Sequence, residues 1–294
     1  MIAQLKEFLD RWSPQILSLM RIAVAFLFMA HGTQKLFGYP ITGDFAGVDL
    51  FSWTGVTGIL ETFGGLAILL GIFTRPVAII LAAEMAVVYV TSFAPNGIWP
   101  RLNGGDLALF YCFCFLYLAA AGGGPWSLDA AWRGQKQAPT GYLAAWEPQL
   151  RSVLRIVVTF LFFTHGTEDI LGWPWPEGEE PFPGAEISGL NGMGHLMETI
   201  GGPILLVGLF SKPLAFIFSG EMAVAYFYSH QPRTFWPILN GGEDCIFFSF
   251  AFLYLAAVGG GPWALDRLLG WGGKPQGAAD SGRGSQKPLS GVSN

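Results

Sequence analysis

The sequence predicts an all-α integral membrane protein made of two parallel four-helix bundle repeats, with eight transmembrane helices related by a pseudo-twofold axis along the membrane normal. Composition, an internal repeat and the lengths of the apolar segments support this fold class. Of the 294 residues, 52% are hydrophobic and 13% are charged, whereas soluble domains carry about 25% charged residues. The mean hydropathy of +0.44 likewise favours lipid as the solvent of the fold.

The net charge of the chain bears on which classes of partner it can bind. A net charge of -5 and a pI near 5.4 leave no basic face for phosphate groups, so the lipid bilayer is predicted as a partner and nucleic acid is not. The cysteines Cys112, Cys114 and Cys245 lie inside apolar segments. They are therefore predicted to be small core residues rather than a disulfide framework.

The internal repeat covers most of the chain. Residues 21–40 and 155–174 agree at 11 of 20 positions with an offset of 134, and the offset becomes 137 after the first loop. Matching segments include LETFGG with METIGG, GIFTRP with GLFSKP, and FLYLAAAGGGPWSLD with FLYLAAVGGGPWALD. The repeat divides the chain into a cytoplasmic N-terminal segment (1–14), a first four-helix repeat (15–131), a linker (132–148), a second repeat (149–271) and a disordered tail (272–294).

Each copy contains four apolar segments, and most approach the roughly 20 residues that cross a bilayer as helix. They span 15–37, 53–73, 76–93 and 104–121 in the first copy, and 150–171, 190–210, 213–230 and 242–258 in the second. The segment at 15–37 resembles a signal peptide, but its counterpart lies in mid-chain, so both are interpreted as retained helices. An even number of crossings per copy makes the copies parallel.

The turns between these segments carry local signals. In FTRP and FSKP, Thr74 or Ser211 is predicted to cap the helix that the following proline opens. After each GGGPW, the segments SLDAAW and ALDRLLGW are predicted to form short helices at the inner surface, anchored by Trp126 and Trp263.

Basic residues predict the orientation. Eleven lysines and arginines lie on the side of both termini, and three (Lys35, Arg101 and Arg233) lie on the other. The positive-inside rule therefore places both termini in the cytoplasm of a bacterial or archaeal cell, with a multi-pass chain in the inner membrane. Arg21 and Arg155 lie one to two turns inside their helices, and we expect them to snorkel towards the surface.

Ionisable residues recur at matching places in the apolar helices. A carboxylate in mid-bilayer costs about 2.5–3.5 kcal/mol, so such residues are expected to face a buried site in the outer half of each bundle. The residues predicted to carry catalysis by proton transfer are His31, Glu61 and Glu84 in the first copy and His165, Glu198 and Glu221 in the second.

The second copy also offers a set of metal ligands. HGTE and HLME each place a histidine and a glutamate at i and i+3 on one helix face. With carboxylates from the two remaining helices, this set is typical of a di-iron or di-manganese bundle, although the usual order of Glu and His is reversed. The predicted Fe or Mn ligands are His165, Glu168, His195, Glu198, Glu221 and Glu243, with Asp244 as an alternative to Glu243. A network of ion pairs without a cofactor, with Lys35 among its cations, is the alternative.

Several of these motifs together resemble the DoxX family of four-helix membrane proteins. They are the first-helix arginine followed by FLFMAHGTQKLFG, the ETFGGLAILLGIFTRP turn, the NGG segment before the fourth helix, and the terminal GGGPWSLD. The resemblance covers about residues 15–130 and 149–268. It implies association with the membrane subunits of thiosulfate:quinone oxidoreductase or quinol-oxidase assemblies, including the related DoxD branch. It supplies no catalytic residues.

Our leading hypothesis is an oxidoreductase membrane component that exchanges electrons with the quinone pool and uses the buried His–carboxylate cluster to take up protons. A quinone ring would lie among Phe162, Phe163, Tyr226 and Phe227. One alternative is a non-catalytic scaffold subunit of a redox or photosynthetic complex. In that case the acidic loop at 173–186 would dock another membrane or periplasmic subunit, although a solvated loop is the simpler interpretation. The other alternative is a small-solute transporter.

Overall fold

The computed structural model describes residues 2–40, 47–133, 142–175 and 188–271, and all regular structure within these ranges is helical. Each predicted apolar segment forms a helix. The main helices are α1 (Ile2–Phe37), α2 (Trp53–Leu70), α3 (Thr74–Val88), α4 (Asp106–Ala121), α5 (Glu147–Leu171), α6 (Gly189–Leu206), α7 (Ser211–Ala225) and α8 (Glu243–Val258). A π-helical turn, Leu60–Gly64, interrupts α2, and two more, Tyr89–Phe93 and Tyr226–His230, extend α3 and α7.

Three helices of the described chain are long and apolar enough to cross a bilayer. They are Glu7–Phe37, Trp53–Leu70 and Thr74–Asn96, all in the first half, and α4 is a shorter apolar helix. The prediction of an all-helical fold with membrane-spanning character is therefore confirmed. The number of eight crossings and the pseudo-twofold axis stay predictions.

The helical segments differ slightly from the predicted boundaries. α1 begins at Ile2 and runs through Pro14 without a break, so residues 2–14 are part of the first helix rather than a separate segment. The linker is partly described, since a short 3₁₀ turn at Tyr142–Trp146 leads directly into α5. The predicted tail at 272–294 and most of the acidic loop at 173–186 lie outside the described residues.

The two halves of the chain are not independent four-helix bundles. α1 of the first half packs closely against α8 of the second, and α4 packs closely against α5. Aromatic side chains fill the centre between these helices, including Phe110, whose ring lies 4.4 Å from that of Phe247. Because α1, α4, α5 and α8 form one shared core, polar residues at its edges meet partners from the other half.

One end of the core contains Arg21 and Arg155 and is called the arginine end below. The prediction that these arginines snorkel towards the surface is wrong. Arg21 is 0% exposed and Arg155 is 1% exposed. Arg21 donates hydrogen bonds to the carbonyls of Gly123 (2.8 Å), Ile68 (2.5 Å), Leu69 (2.5 Å) and Trp126 (2.8 Å). Arg155 bonds the carbonyls of the matching residues, Gly260, Leu205, Leu206 and Trp263. A buried guanidinium thus satisfies the carbonyls that the end of α2 or α6 leaves without helical partners.

Aspartates cap the third helix of each half, where Thr74 and Ser211 were predicted to do so. Asp129 accepts hydrogen bonds from the backbone N–H groups of Phe73 (2.9 Å) and Thr74 (2.8 Å). Asp266 accepts the corresponding bonds from Phe210 and Ser211, both at 2.7 Å. Both aspartates lie in the segments after GGGPW, where the structure has short helices at Leu128–Arg133 and Leu265–Leu268. Their place at the inner membrane surface stays a prediction. Each carboxylate satisfies two free N–H groups at once, one with each oxygen.

Candidate functional site

The opposite end of the core, here the histidine end, is shaped by the two NGG segments. The side-chain oxygen of Asn103 accepts a hydrogen bond from Gly105 N at 2.8 Å, and its amide donates to the carbonyl of Gly97 at 2.8 Å. Asn240 makes the matching bonds with Gly242 and Thr234. Gly104 adopts a φ of 76°, a conformation that favours glycine. These turns place the carboxylates of Asp106 and Glu243 at the first positions of α4 and α8.

Both of these carboxylates pair with a histidine from the other half of the chain. Nε2 of His31 lies 3.1 Å from Oε1 of Glu243, and Nε2 of His165 lies 3.6 Å from Oδ2 of Asp106. Asp106 is 8% exposed and Glu243 is 7% exposed. The predicted confinement of each polar cluster to its own bundle is therefore wrong, because α1 lies against α8 and α5 lies against α4.

A second ion pair in the first half joins α1 to α2. Nζ of Lys35 lies 2.6 Å from Oε1 of Glu61 and 3.4 Å from Oγ1 of Thr57. Glu61 lies in the π-helical turn, and its other carboxylate oxygen is buried without a hydrogen-bond partner. The lysine supplies a permanent positive charge to a carboxylate that would otherwise be costly to bury.

The second half reverses the charges of this pair. Asp169 occupies the position that corresponds to Lys35, and the cationic partner is His195 on α6, where the first half has Gly58. Nδ1 of His195 lies 3.0 Å from Oδ2 of Asp169 and 3.6 Å from Oε2 of Glu198. A titratable imidazole thus replaces a fixed ammonium group.

The third helix of each half carries a buried carboxylate without a hydrogen-bond partner among the described residues. Both oxygens of Glu84 and both oxygens of Glu221 are in this state. Glu221 faces α6, since a Cβ atom at Gly194 would lie 3.0 Å from its Oε1, and Glu198 lies one turn further along α6. The convergence of Glu198 and Glu221 on one pocket stays a prediction.

The six predicted metal ligands do not form one cluster. Glu243 pairs with His31, while Glu168 accepts a hydrogen bond of 2.5 Å from Nε of Arg101. Burial lowers the pKa of Arg101, but the hydrogen bond to Glu168 and the nearby charges of Glu168 and Asp106 outweigh it and raise that pKa above the usual arginine value. Glu168 is thus held by a fixed cation. His165 pairs with Asp106, whereas His195 pairs with both Asp169 and Glu198.

The four aromatic residues predicted to surround a quinone ring occupy different environments. Phe162 is 0% exposed and packs against Phe218, Phe248 and Phe252 in the shared core. Phe227 is 65% exposed on the outer face of α7 and contacts Tyr226. Phe163 packs towards Trp173. These four residues do not line one pocket, because Phe162 is buried in the core whereas Phe227 lies on the exposed surface.

Lys35, Asp169, Arg101, Asp106 and Asp244 complete the site. Lys35 was predicted as a cation of the alternative ion-pair network, Asp244 as an alternative metal ligand and Asp106 as an inward-facing carboxylate, whereas Asp169 and Arg101 were not predicted as site residues. The signal that identifies four of them is a difference between the repeats at aligned positions. Lys35 corresponds to Asp169, Arg101 to Ile238, and Leu107 to Asp244. Asp106 corresponds to Glu243, and its partner His165 becomes evident only when α4 and α5 are seen in contact.

A comparison of the sequence with known protein families finds the same family in both halves of the chain. A family model described as DoxX matches residues 16–94 and again residues 150–231. An uncharacterized protein of Haemophilus influenzae (strain ATCC 51907 / DSM 11121 / KW20 / Rd) is 39% identical over 127 residues, which cover 41% of this chain and 93% of that protein. No solved structure matches. Two family matches, each spanning most of one helical repeat, show that the chain belongs to the DoxX family of membrane proteins.

Proposed function

We propose that this chain is a membrane subunit of an oxidoreductase assembly that exchanges electrons with the quinone pool. In this proposal all eight helices cross the membrane, both termini are cytoplasmic, and the histidine end faces the outer side. The distribution of basic residues supports that orientation. The quinone would bind at the pair formed by His31 and Glu243.

The observation that carries the proposal is an apolar groove that ends near this pair. The groove has a volume of about 310 Å³ and is lined by residues of α1, α2 and α8, among them Ile22, Ala23, Leu27, Leu69 and Phe250. His31 follows Leu27 by one helical turn along α1. A quinone tail in the groove would therefore bring its polar ring to the imidazole and carboxylate.

The chemistry of the pair suits a quinol. Oxidation of a quinol to a quinone releases two protons and two electrons. A histidine that already lies 3.1 Å from a carboxylate accepts one proton as a general base, because the carboxylate stabilises the imidazolium that forms. The second proton would leave to water at the outer end. The electrons would pass to a redox centre of a partner subunit, which is a membrane or periplasmic protein in this proposal.

The remaining carboxylates would provide a proton route in the second half. Asp169 has a side chain that is 43% exposed, and from it the chain of contacts runs through His195 to Glu198. Glu198 lies one turn along α6 from Gly194, the residue that Oε1 of Glu221 faces. In the first half, Lys35 occupies the position that corresponds to Asp169 and forms an ion pair with Glu61. We therefore assign proton transfer to Glu198 and Glu221, and a mainly structural role to Glu61 and Glu84.

Filling the groove tests the proposal. Ala23→Trp would occupy the groove beside α1, whereas Ile200→Trp would occupy a comparable apolar groove between α6 and α7. We expect the purified wild-type chain to retain quinone, Ala23→Trp to reduce the extracted quinone at least about fivefold, and Ile200→Trp to leave it unchanged. His31→Gln should weaken binding of a water-soluble quinol analogue about tenfold, since loss of one hydrogen bond to a charged group costs about 1.5 kcal/mol or more.

Two results would contradict the proposal. One is a wild-type chain without extractable quinone and without affinity for the quinol analogue. The other is equal quinone content in Ala23→Trp and wild type. Either result would favour the non-catalytic scaffold, in which the helical faces serve only to dock other subunits.

A further inference from the structure

We propose that Asp106, His165 and Asp244 bind one divalent transition-metal cation where the two halves of the chain meet. Of the described residues, only these three form a group of histidine, cysteine or carboxylate side chains whose ligand atoms all lie within 4.8 Å of one another. The set shares His165 with the six ligands predicted from sequence, contains Asp244, the predicted alternative to Glu243, and adds Asp106, which was not among them. This inference is independent of the proposed quinone site at His31.

The three residues come from three helices and converge at the histidine end. Asp106 begins α4, Asp244 is the second residue of α8, and His165 lies in the last third of α5. Ligand atoms bound at about 2.1 Å to one ion lie about 3.4 Å apart in tetrahedral geometry. The separation of 3.6 Å between Nε2 of His165 and Oδ2 of Asp106 is already close to that value.

The ligand atoms have no competing hydrogen bonds in the described chain. Oδ1 of Asp244 and Nε2 of His165 are buried and lack a hydrogen-bond partner. Oδ2 of Asp106 is 3.6 Å from both Arg101 and His165, which is too far for a hydrogen bond. Because a buried polar atom without a partner costs about 1–3 kcal/mol, a cation that binds all three ligands would remove a considerable penalty.

The charge balance also favours a divalent ion. Arg101 hydrogen-bonds Glu168 at 2.5 Å and also forms an ion pair of 3.6 Å with Asp106, so its single positive charge offsets only one of the three negative charges of Glu168, Asp106 and Asp244. Two negative charges then remain beside a histidine, in a part of the molecule where Asp106 is 8% exposed. One divalent cation neutralises both. A mixed set of imidazole nitrogen and carboxylate oxygen suits manganese, iron or zinc.

The corresponding position in the other half explains why only one such site is expected. There His31 faces Glu243, but Leu107 occupies the place that corresponds to Asp244, so the third ligand is missing. The nearby aromatic residue is Tyr111, where the proposed metal site has Phe248. The half with His31 therefore has two of the three ligands, and the half with His165 has all three.

The test measures metal bound to the purified full chain. The protein is stripped with a chelator, incubated with Mn²⁺ or Zn²⁺, freed of excess metal and analysed by elemental mass spectrometry, with electron paramagnetic resonance for Mn²⁺. We expect about one equivalent per chain. Asp244→Leu, which copies the residue at Leu107, and the isosteric Asp244→Asn should each reduce bound metal at least about tenfold, since a ligand worth about 1.4 kcal/mol changes affinity by that factor.

His31→Asn is the matched control, because it changes the corresponding histidine outside the proposed site and should leave the metal content unchanged. The metal should also raise the unfolding temperature of wild type and of His31→Asn, but not that of Asp244→Asn. The inference is overturned if the wild-type chain binds neither ion, if folded Asp244→Asn keeps its metal, or if His31→Asn loses as much metal as Asp244→Asn. The first of these outcomes would indicate that protons neutralise the two aspartates.

Discussion

At the scale of single residues, the two buried arginines show that buried charge in this membrane protein serves a structural role. Arg21 contributes no accessible surface, and each of its guanidinium nitrogens donates to a backbone carbonyl at the arginine end. The helix ends that it satisfies are otherwise partially negative, so the positive charge also interacts favourably with them. Arg155 has the same arrangement in the second half.

We expect Arg21→Met to destabilise the protein by about 3 kcal/mol or more, because hydrogen bonds to a charged group are worth about 1.5–3 kcal/mol each and several carbonyls would lose their donor. The measurement is the unfolding temperature of the detergent-solubilised protein. Arg11→Met is the control, since Arg11 lies on an exposed position of the same helix and its loss should change stability by less than about 0.5 kcal/mol. Equal losses in the two variants would contradict a structural role specific to Arg21.

At the scale of helices, glycine allows the first two helices of each half to approach closely enough for their polar residues to pair. A Cβ atom at Gly32 would lie 2.4 Å from the backbone nitrogen of Thr62, and one at Gly166 would lie 2.5 Å from Cβ of Glu198. These glycines directly follow His31 and His165. Small residues at helix contacts are typical of packing in lipid, where close backbone approach replaces the hydrophobic driving force.

Gly166→Ala should therefore separate α5 from α6 and reduce stability by about 1–3 kcal/mol, the usual cost of overpacking. Gly220→Ala provides a control within a helix, because no atom lies within 4 Å of a Cβ atom at that position. Its expected effect is neutral or stabilising by up to about 1 kcal/mol, since alanine is the better helix former. Thermal unfolding of both variants compares them directly, and a Gly166→Ala variant as stable as Gly220→Ala would show that the helices can adjust.

At the scale of the whole molecule, the histidine end and the arginine end must face opposite sides if the helices cross the bilayer. Phe51, in the loop between α1 and α2 at the histidine end, is 96% exposed. Leu268, in the last described helix at the arginine end, is 82% exposed. The proposed orientation places Phe51 outside the cell and Leu268 in the cytoplasm.

Cysteine labelling of intact cells tests this orientation. A membrane-impermeant maleimide should label Phe51→Cys in intact cells and should label Leu268→Cys only after the cells are permeabilised. The unmodified chain is the control for its own cysteines, of which Cys114 is buried and Cys112 and Cys245 are partly buried. The reverse pattern would invert the proposed orientation, and labelling of both positions in intact cells would exclude a bilayer between them.

The apolar segments and their order were determined by the sequence itself, because hydrophobic content and length follow directly from the residues. The motifs of the repeat also indicated the family, and the positions of the ionisable residues within the apolar segments indicated that these residues would be buried. Glu61, Glu84, Glu198 and Glu221 are buried or have buried carboxylate oxygens, as the cost of an ionised group in hydrocarbon requires.

Only the tertiary structure decided which polar groups meet. Pairing depends on contacts between helices far apart in sequence, and here three of the pairs cross from one half to the other: His31 to Glu243, His165 to Asp106, and Arg101 to Glu168. The free-energy cost of exposing an ionised carboxylate to hydrocarbon requires that the carboxylate turns inwards, but this cost does not determine which residue becomes its partner. The partner is chosen by the packing of α1 against α8 and of α4 against α5, and this packing depends on how large aromatic side chains fill the shared core.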